Sequence, residues 1–79
     1  MTIAKITETR FYDEYGTKKV ALLEKGQEVK ILDKENGLPN LLEDGYYHCR
    51  VVNPSDESKN YGVKNNQLVE VYPEYLEIE

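Results

Sequence analysis

His48 and Cys49 are the residues of this 79-residue chain whose types serve nucleophilic and metal chemistry. They are adjacent, and neighbouring side chains of a β-strand point to opposite faces, so in an extended segment they form no thiolate–imidazole pair. One histidine and one cysteine also fall short of the usual ligand sets of zinc sites. We therefore expect a core Cys49, a solvent-facing His48, no metal and no other cofactor.

Three pairs of adjacent carboxylates are the other candidates for catalysis. General acid–base chemistry needs a carboxyl group whose pKa is raised by burial, whereas these pairs lie in segments with the composition of solvated turns. The five glycines are scattered singly, so no glycine-rich phosphate loop is present. We expect a protein without catalytic activity. The pairs are Asp13/Glu14, Glu43/Asp44 and Asp56/Glu57.

The elements that must position these residues are short β-strands. No window of ten residues free of glycine and proline has the apolar spacing of a helix, whereas β-branched and aromatic runs recur between turn residues. In the run 46–52, alternation places Tyr47, Cys49 and Val51 on the core face. Strands are predicted at 7–12, 20–23, 28–32, 46–52, 61–64 and 68–71, with a long loop at 33–45, a solvated hairpin connection at 53–60 and a 3₁₀ turn at 65–67.

The length of the chain predicts a single domain, 1–79, with one core. A chain of this size buries about 60% of the surface that it exposes when unfolded. No apolar run approaches the length of a membrane span, and the first residues lack the apolar stretch of a signal peptide. The expected location is the cytoplasm, without membrane contact.

The order of four segments resembles the SH3 domain. Residues 22–32 are similar to its diverging turn and the following strand, and residues 44–50 are similar to the segment in which SH3 domains carry Asp-Gly-Trp-Trp. Residues 62–71 are similar to the closing segment, and Arg10–Asp13 lies about where the Ala-Leu-Tyr-Asp-Tyr motif stands. The resemblance implies an all-β, SH3-like small barrel of five to six antiparallel strands, with its core at about 7–71 and an acidic extension at 72–79.

The resemblance also implies a groove for proline-rich peptides, of which this chain keeps a part. Tyr12 and Tyr46 match aromatic wall positions. Glu14 stands in place of the second motif tyrosine, Asn65 in place of the proline of the closing segment, and Leu68 in place of its tyrosine. A module that binds a peptide through a Tyr12/Tyr46 face is therefore an alternative function.

The net charge of −5 is unevenly distributed, because residues 1–30 carry +1 and residues 31–79 carry −6. A negative surface repels nucleic-acid phosphates and attracts basic protein surfaces. The main hypothesis is therefore a protein-binding module that occupies a basic surface of a partner, such as the nucleic-acid site of a DNA- or RNA-binding protein. In size and acidity the chain resembles small phage-encoded proteins that mimic DNA or disable host factors, and this resemblance implies an inhibitor. The candidate binding residues are Leu38, Leu41, Leu42, Glu43, Asp44, Tyr46, Asp56, Glu57, Tyr72, Glu74, Tyr75 and Glu77.

Further alternatives concern the lysines, the leucines and the tail. Lysines with nearby Tyr12 or Tyr15 would suit the direct nucleic-acid binding of KOW-type barrels, although the net charge disfavours it. The leucines of the loop 33–45 either cover one end of the barrel or anchor a partner. The tail 72–79 either frays or adds an edge strand, which is a route to a homodimer. The lysines in question are Lys18, Lys19, Lys25 and Lys30.

Overall fold

The computed structural model describes residues 2–32 and 45–79, and within them the fold is all-β. Seven antiparallel strands form one sheet in the order β3-β2-β6-β5-β4-β1-β7. The strands are β1 (Thr2–Ile6), β2 (Arg10–Glu14), β3 (Val20–Leu23), β4 (Glu28–Ile31), β5 (Tyr47–Val51), β6 (Leu68–Val71) and β7 (Leu76–Ile78). A short helix, α1 (Asp56–Asn60), precedes β6, and a 3₁₀ helix (Pro73–Tyr75) precedes β7.

The core is formed by alternate residues of the strands. Val29 on β4 lies opposite Val51 on β5, and Cys49 lies opposite Val69 on β6. These four side chains are fully buried, because period-two alternation turns each of them to the same face of the sheet. Alternation thus placed Cys49 and Val51 correctly, while Tyr47 is partly buried and packs against the core.

The predicted strand boundaries are confirmed for β3 and β6 and are close for β4 and β5. The first predicted strand is displaced, since residues 7–9 lie between two strands and β2 begins at Arg10. An unpredicted strand, β1, lies between β4 and β7, with Ala4 and Ile6 in the core. Its alternation of apolar and polar residues is short, and its pairing with two distant strands is not visible in local sequence.

The segment between β5 and β6 differs most from prediction. In place of a solvated hairpin connection at 53–60, α1 begins after Ser55, whose hydroxyl accepts a hydrogen bond from the Ser58 N–H at 3.1 Å. Ser58 is fully buried, and its hydroxyl donates to the Leu22 carbonyl at 2.7 Å. Because β3 is an edge strand, α1 covers part of an otherwise open edge.

Residues 61–67 are also not the predicted strand and 3₁₀ turn. Residues 61–64 form no strand, although Val63 is buried in the core cluster. The 65–67 turn is closed by the Gln67 N–H donating to the Lys64 carbonyl at 3.1 Å, and Asn66 takes a φ of 68° there. That left-handed residue keeps the turn from being helical, and asparagine tolerates the conformation better than most residues.

The tail forms the other edge of the sheet rather than fraying. β7 pairs with β1, with Glu77 opposite Lys5, and the Lys5 ammonium lies 3.4 Å from a carboxylate oxygen of Glu79. The sequence predicts a 3₁₀ turn at 65–67, before β6. The structure has it at residues 73–75, before β7. Across residues 2–32 and 45–79, no helix is long and apolar enough to cross a membrane.

Candidate functional site

A groove of about 170 Å³ lies where β2, β6, the residue before β5 and the 3₁₀ helix meet. Tyrosines and carboxylates dominate its lining, which combines flat apolar surface with negative charge. The lining residues are Arg10, Phe11, Tyr12, Asp13, Tyr46, Glu70, Tyr72, Glu74 and Tyr75.

One wall of the groove is a stacked pair of tyrosines. The ring centroids of Tyr46 and Tyr72 are 4.1 Å apart, with an angle of 27° between the ring planes. Gly45 precedes this wall with a φ of 88°, a conformation that side chains with a Cβ rarely adopt. Tyr72 has extended backbone between β6 and Pro73, and 40% of it is exposed. Tyr46 is partly buried, so the aromatic surface that the wall presents to solvent is mainly that of Tyr72.

The floor of the groove is anchored in the core by a second pair of tyrosines. Tyr12 is only 5% exposed, and its hydroxyl donates to the Glu8 carbonyl at 2.6 Å. Burial raises the pKa of Tyr12 to about 12, so the hydroxyl stays protonated and keeps this bond. The Tyr75 ring meets the Tyr12 ring edge to face, with centroids 5.9 Å apart. The resemblance implied Tyr12 as a wall residue; in the structure it lines the groove, but it is largely buried and supports the groove from the core.

The charges of the groove are predominantly negative. Asp13 on β2 lies directly opposite Glu70 on β6, an arrangement of like charges that disfavours the pairing. Glu74 adds a third carboxylate, and Arg10 is the one base in the lining. The Arg10 guanidinium lies 4.4 Å from the centroid of the Tyr75 ring, in a cation–π contact. Between described residues, none of the three carboxylates forms an ion pair.

The structure brings together a third of the predicted binding residues. Tyr46, Tyr72, Glu74 and Tyr75 line the groove. Glu77 lies on β7 at the sheet edge, away from it. Asp56 and Glu57 lie on α1, which packs against β3 rather than in the groove. Leu38, Leu41, Leu42, Glu43 and Asp44 lie outside the described residues.

The positions at which this chain departs from the SH3 groove pattern do not line the groove. Glu14 and Asn65 line a separate cleft, and Leu68 lies on β6 outside the groove lining. The tail takes their place through Tyr72 and Tyr75, so the groove has aromatic surface on both sides. Local sequence missed Asp13 and Glu70, because only the β2–β6 register, a long-range pairing, puts them side by side.

The lysines proposed for nucleic-acid binding are distributed over the sheet. Lys18 and Lys19 immediately precede β3, and Lys25 follows its other end. Lys30 lies on β4, opposite Ile3 and Arg50. Lys18 and Lys19 thus lie at the opposite end of β3 from Lys25, and Lys30 lies on a strand four places away from β3 in the sheet order.

His48 and Cys49 lie on opposite faces of β5. Cys49 is fully buried, and burial raises the pKa of its thiol to about 12, which leaves it in the unreactive protonated form. The prediction of a solvent-facing His48 is wrong, because Tyr15 covers it with ring centroids 4.2 Å apart and leaves it 9% exposed. Sequence alternation gives the face of a residue but not what lies over that face.

No group of three or more His, Cys, Asp or Glu side chains within 2–32 and 45–79 is arranged to hold a metal ion. The groove instead has the composition of a recognition surface, with aromatic walls and carboxylates. Comparisons with protein-family models, with curated proteins and with solved structures find no match to this chain.

Proposed function

We propose that the protein is a binding module whose groove takes a basic, extended segment of a partner protein. The observation that carries the proposal is the Tyr46/Tyr72 wall facing carboxylates that have no ion-pair partner among the described residues. Each half of this arrangement recognises a different part of the same ligand.

Charge supports a basic ligand. Three carboxylates against one guanidinium give the lining a net charge of −2, on a chain of net −5. Repulsion between the directly opposed Asp13 and Glu70 carboxylates destabilises the protein without a ligand. A cation of the ligand that lies between or above them relieves this repulsion. Lysine or arginine side chains also bind tyrosine faces, at about 0.5–2 kcal/mol for each cation–π contact.

Shape supports an extended ligand. At about 170 Å³ the groove is below the roughly 300–1,000 Å³ of sites that enclose small molecules. Residues of β2, β6 and the 3₁₀ helix line it, together with Tyr46. An extended peptide that lies across these elements can place its side chains in the groove. The resemblance to SH3 domains supports the same mode, in which aromatic-lined grooves bind proline-containing segments.

Basic segments of this kind occur on nucleic-acid-binding surfaces. The mechanism that we propose is occupation of such a surface in a cytoplasmic partner, with the negative charge of the groove, including Glu74 of the tail, in place of phosphates. Tyr72 and Tyr46 supply the apolar anchor, so binding is only partly electrostatic.

Titration calorimetry with a synthetic arginine- and proline-containing peptide tests the proposal, because the protein has no tryptophan to report binding. We expect saturable binding that weakens as salt rises, since screening shortens the reach of the carboxylates. The same peptide with glutamate in place of arginine should not bind. Equal binding of the two peptides would contradict a site specific for cations.

A pair of tyrosine variants locates the site. Tyr72→Ala removes one ring of the wall and should lower the affinity at least about tenfold, or 1.4 kcal/mol. Tyr15→Ala is the matched control, because Tyr15 is 47% exposed and neither it nor His48, against which it packs, lines the groove. Equal losses in the two variants would place binding elsewhere.

A further inference from the structure

A second and larger cleft, of about 460 Å³, lies between the turn joining β2 to β3 and residues 61–67. It is separate from the tyrosine groove, and no residue of the proposed function lines it. Its size falls within the roughly 300–1,000 Å³ of small-molecule sites. The residues that decide its chemistry are Lys19, Tyr61, Lys64, Asn65 and Gln67.

Hydrogen bonds within the protein occupy the side-chain oxygens of Asn65 and Gln67, two of the amide residues that line this cleft. The Asn65 side-chain oxygen accepts from the Asn53 N–H at 3.0 Å. The Gln67 side-chain oxygen accepts from the Lys64 N–H at 2.9 Å. Each side chain is fixed by its acceptor end, so the end left for a ligand is the NH₂ group, which only donates.

Backbone acceptors of the same segment are occupied as well. The Asn66 carbonyl accepts from the Arg50 guanidinium at 3.0 Å, and the Lys64 carbonyl accepts from the Gln67 N–H at 3.1 Å. These bonds hold residues 64–67 against β5, because the Asn66 N–H also donates to the Val51 carbonyl at 2.7 Å. The segment is therefore held in place, with the Lys64, Asn66 and Gln67 carbonyls all occupied within the protein.

The donors of the cleft are free. Within the described part of the chain, the ammonium groups of Lys19 and Lys64 and the NH₂ groups of Asn65 and Gln67 have no hydrogen-bond or ion-pair partner. The one acid of the lining, Glu14, already accepts from the Thr17 hydroxyl at 3.1 Å. Two lysines against one glutamate give this lining a net charge of +1, on a chain of net −5.

We infer that this cleft binds a small phosphorylated ligand that carries a flat ring. Lys19 and Lys64 supply the charge for the phosphate, and the amide donors of Asn65 and Gln67 satisfy its oxygens. Tyr61 is 58% exposed and its ring meets Phe11 edge to face at 5.7 Å, which holds an aromatic surface at the cleft for the ring of the ligand. A nucleoside monophosphate has this combination of groups.

Amide-detected NMR titration of the full chain at constant ionic strength tests the inference, with AMP, adenosine and inorganic phosphate as probes. AMP should shift the resonances of residues 61–67 and of Lys19 with saturation, and should bind more tightly than either phosphate or adenosine. No saturable shift in these residues with AMP would overturn the inference. Equal affinity for AMP and inorganic phosphate would overturn the part assigned to Tyr61.

Two lysine variants of equal charge change distinguish the cleft from general attraction of anions. Lys64→Gln should weaken AMP binding at least about tenfold. Lys25→Gln is the matched control, since Lys25 is exposed and lies outside the cleft. Equal weakening in the two variants would overturn the inference. Retained folding is read from the same spectra.

Discussion

The tyrosine groove and the donor cleft are built by different means. The groove rests on the core through the contact between Tyr12 and Tyr75, and its lining is negative. The cleft rests on hydrogen bonds within residues 53–67, and its lining is positive. One small core therefore supports two surfaces of opposite charge, of which one depends on side-chain packing and the other on the hydrogen bonds of a connecting segment.

Tyr75→Ala should have the largest effect and should damage the groove side. The substitution removes a ring that packs on the core, on Tyr12 and under Arg10. Because Tyr75 is only partly buried, we expect a loss of about 2–3 kcal/mol, below the cost for a fully buried aromatic residue. Urea denaturation measures it, with Tyr72→Ala as the control that should lose less than about 1 kcal/mol. Equal losses would mean that the groove is not anchored through Tyr75.

Rising alkaline pH should destabilise the protein, first through Cys49 in the core and, at higher pH, through Tyr12 beneath the groove. The pKa of Cys49 is raised from 9.0 to about 12 in the folded protein. The folded protein holds the thiol proton more tightly than the unfolded chain does, so the raised pKa contributes stability that is fully present below pH 9.0. This contribution is lost as the pH rises from 9.0 towards 12, at about 1.4 kcal/mol per pH unit. Tyr12, raised from 10.0 to about 12, should lose its bond to Glu8 over the upper part of that range.

The free energy of unfolding measured from pH 8 to 11 tests this expectation. The variant Cys49→Ala is the control, because it lacks the thiol and should show a shallower decline with pH. At pH 8 the native thiol should resist alkylation, since it is buried and protonated. An identical pH dependence in the two proteins would contradict the assignment of the effect to Cys49.

Ser58→Ala should damage the cleft side selectively. It leaves the buried Leu22 carbonyl without its donor at the covered edge of β3, so we expect a loss of about 1–2 kcal/mol. Hydrogen exchange should rise in residues 56–67, whose position depends on α1, and should change little in β7. The control is Ser55→Thr, which keeps the hydroxyl at the start of α1. Faster exchange spread evenly over the sheet would contradict the separation of the two surfaces.

The parts of the fold that sequence predicted are those that alternation decides. Alternation predicted β3, β4, β5 and β6 and the core positions of Cys49 and Val51, because their signal lies in a few consecutive residues. It missed β1 and α1, whose places depend on partners distant in the chain. The buried Ser58 is an example, since nothing in a polar segment signals that one hydroxyl meets the Leu22 carbonyl 36 residues away.

The same limit applies to the candidate site. Tyrosine enrichment and the acidic tail are visible in the sequence alone, and they indicate Tyr46, Tyr72, Glu74 and Tyr75, which line the groove. The sequence did not join them to Asp13, Glu70 and Arg10, because that step needs the register of β2 with β6. The cleft was missed because its donors are ordinary surface residues until the hydrogen bonds of Asn65 and Gln67 fix their orientation.

Arg10→Ala should have the smallest effect, and it tests the one positive charge in the groove lining. Its guanidinium already occupies the face of Tyr75, the position that a cation of the partner would take. Removing it changes the net charge of the lining from −2 to −3. We therefore expect the basic peptide to bind about three- to tenfold more tightly, or about 0.6–1.4 kcal/mol.

Calorimetry with that peptide measures the gain in affinity, and Lys25→Ala is the control. That variant makes the same change in net charge at an exposed position outside the groove. A gain in the control as large as in Arg10→Ala would show that only the overall charge matters. Weaker binding in Arg10→Ala would show that Arg10 contacts the partner instead of competing with it, so the groove would recognise acidic as well as basic groups. The opposite net charges of the groove and the cleft would then not determine which ligands the two surfaces bind.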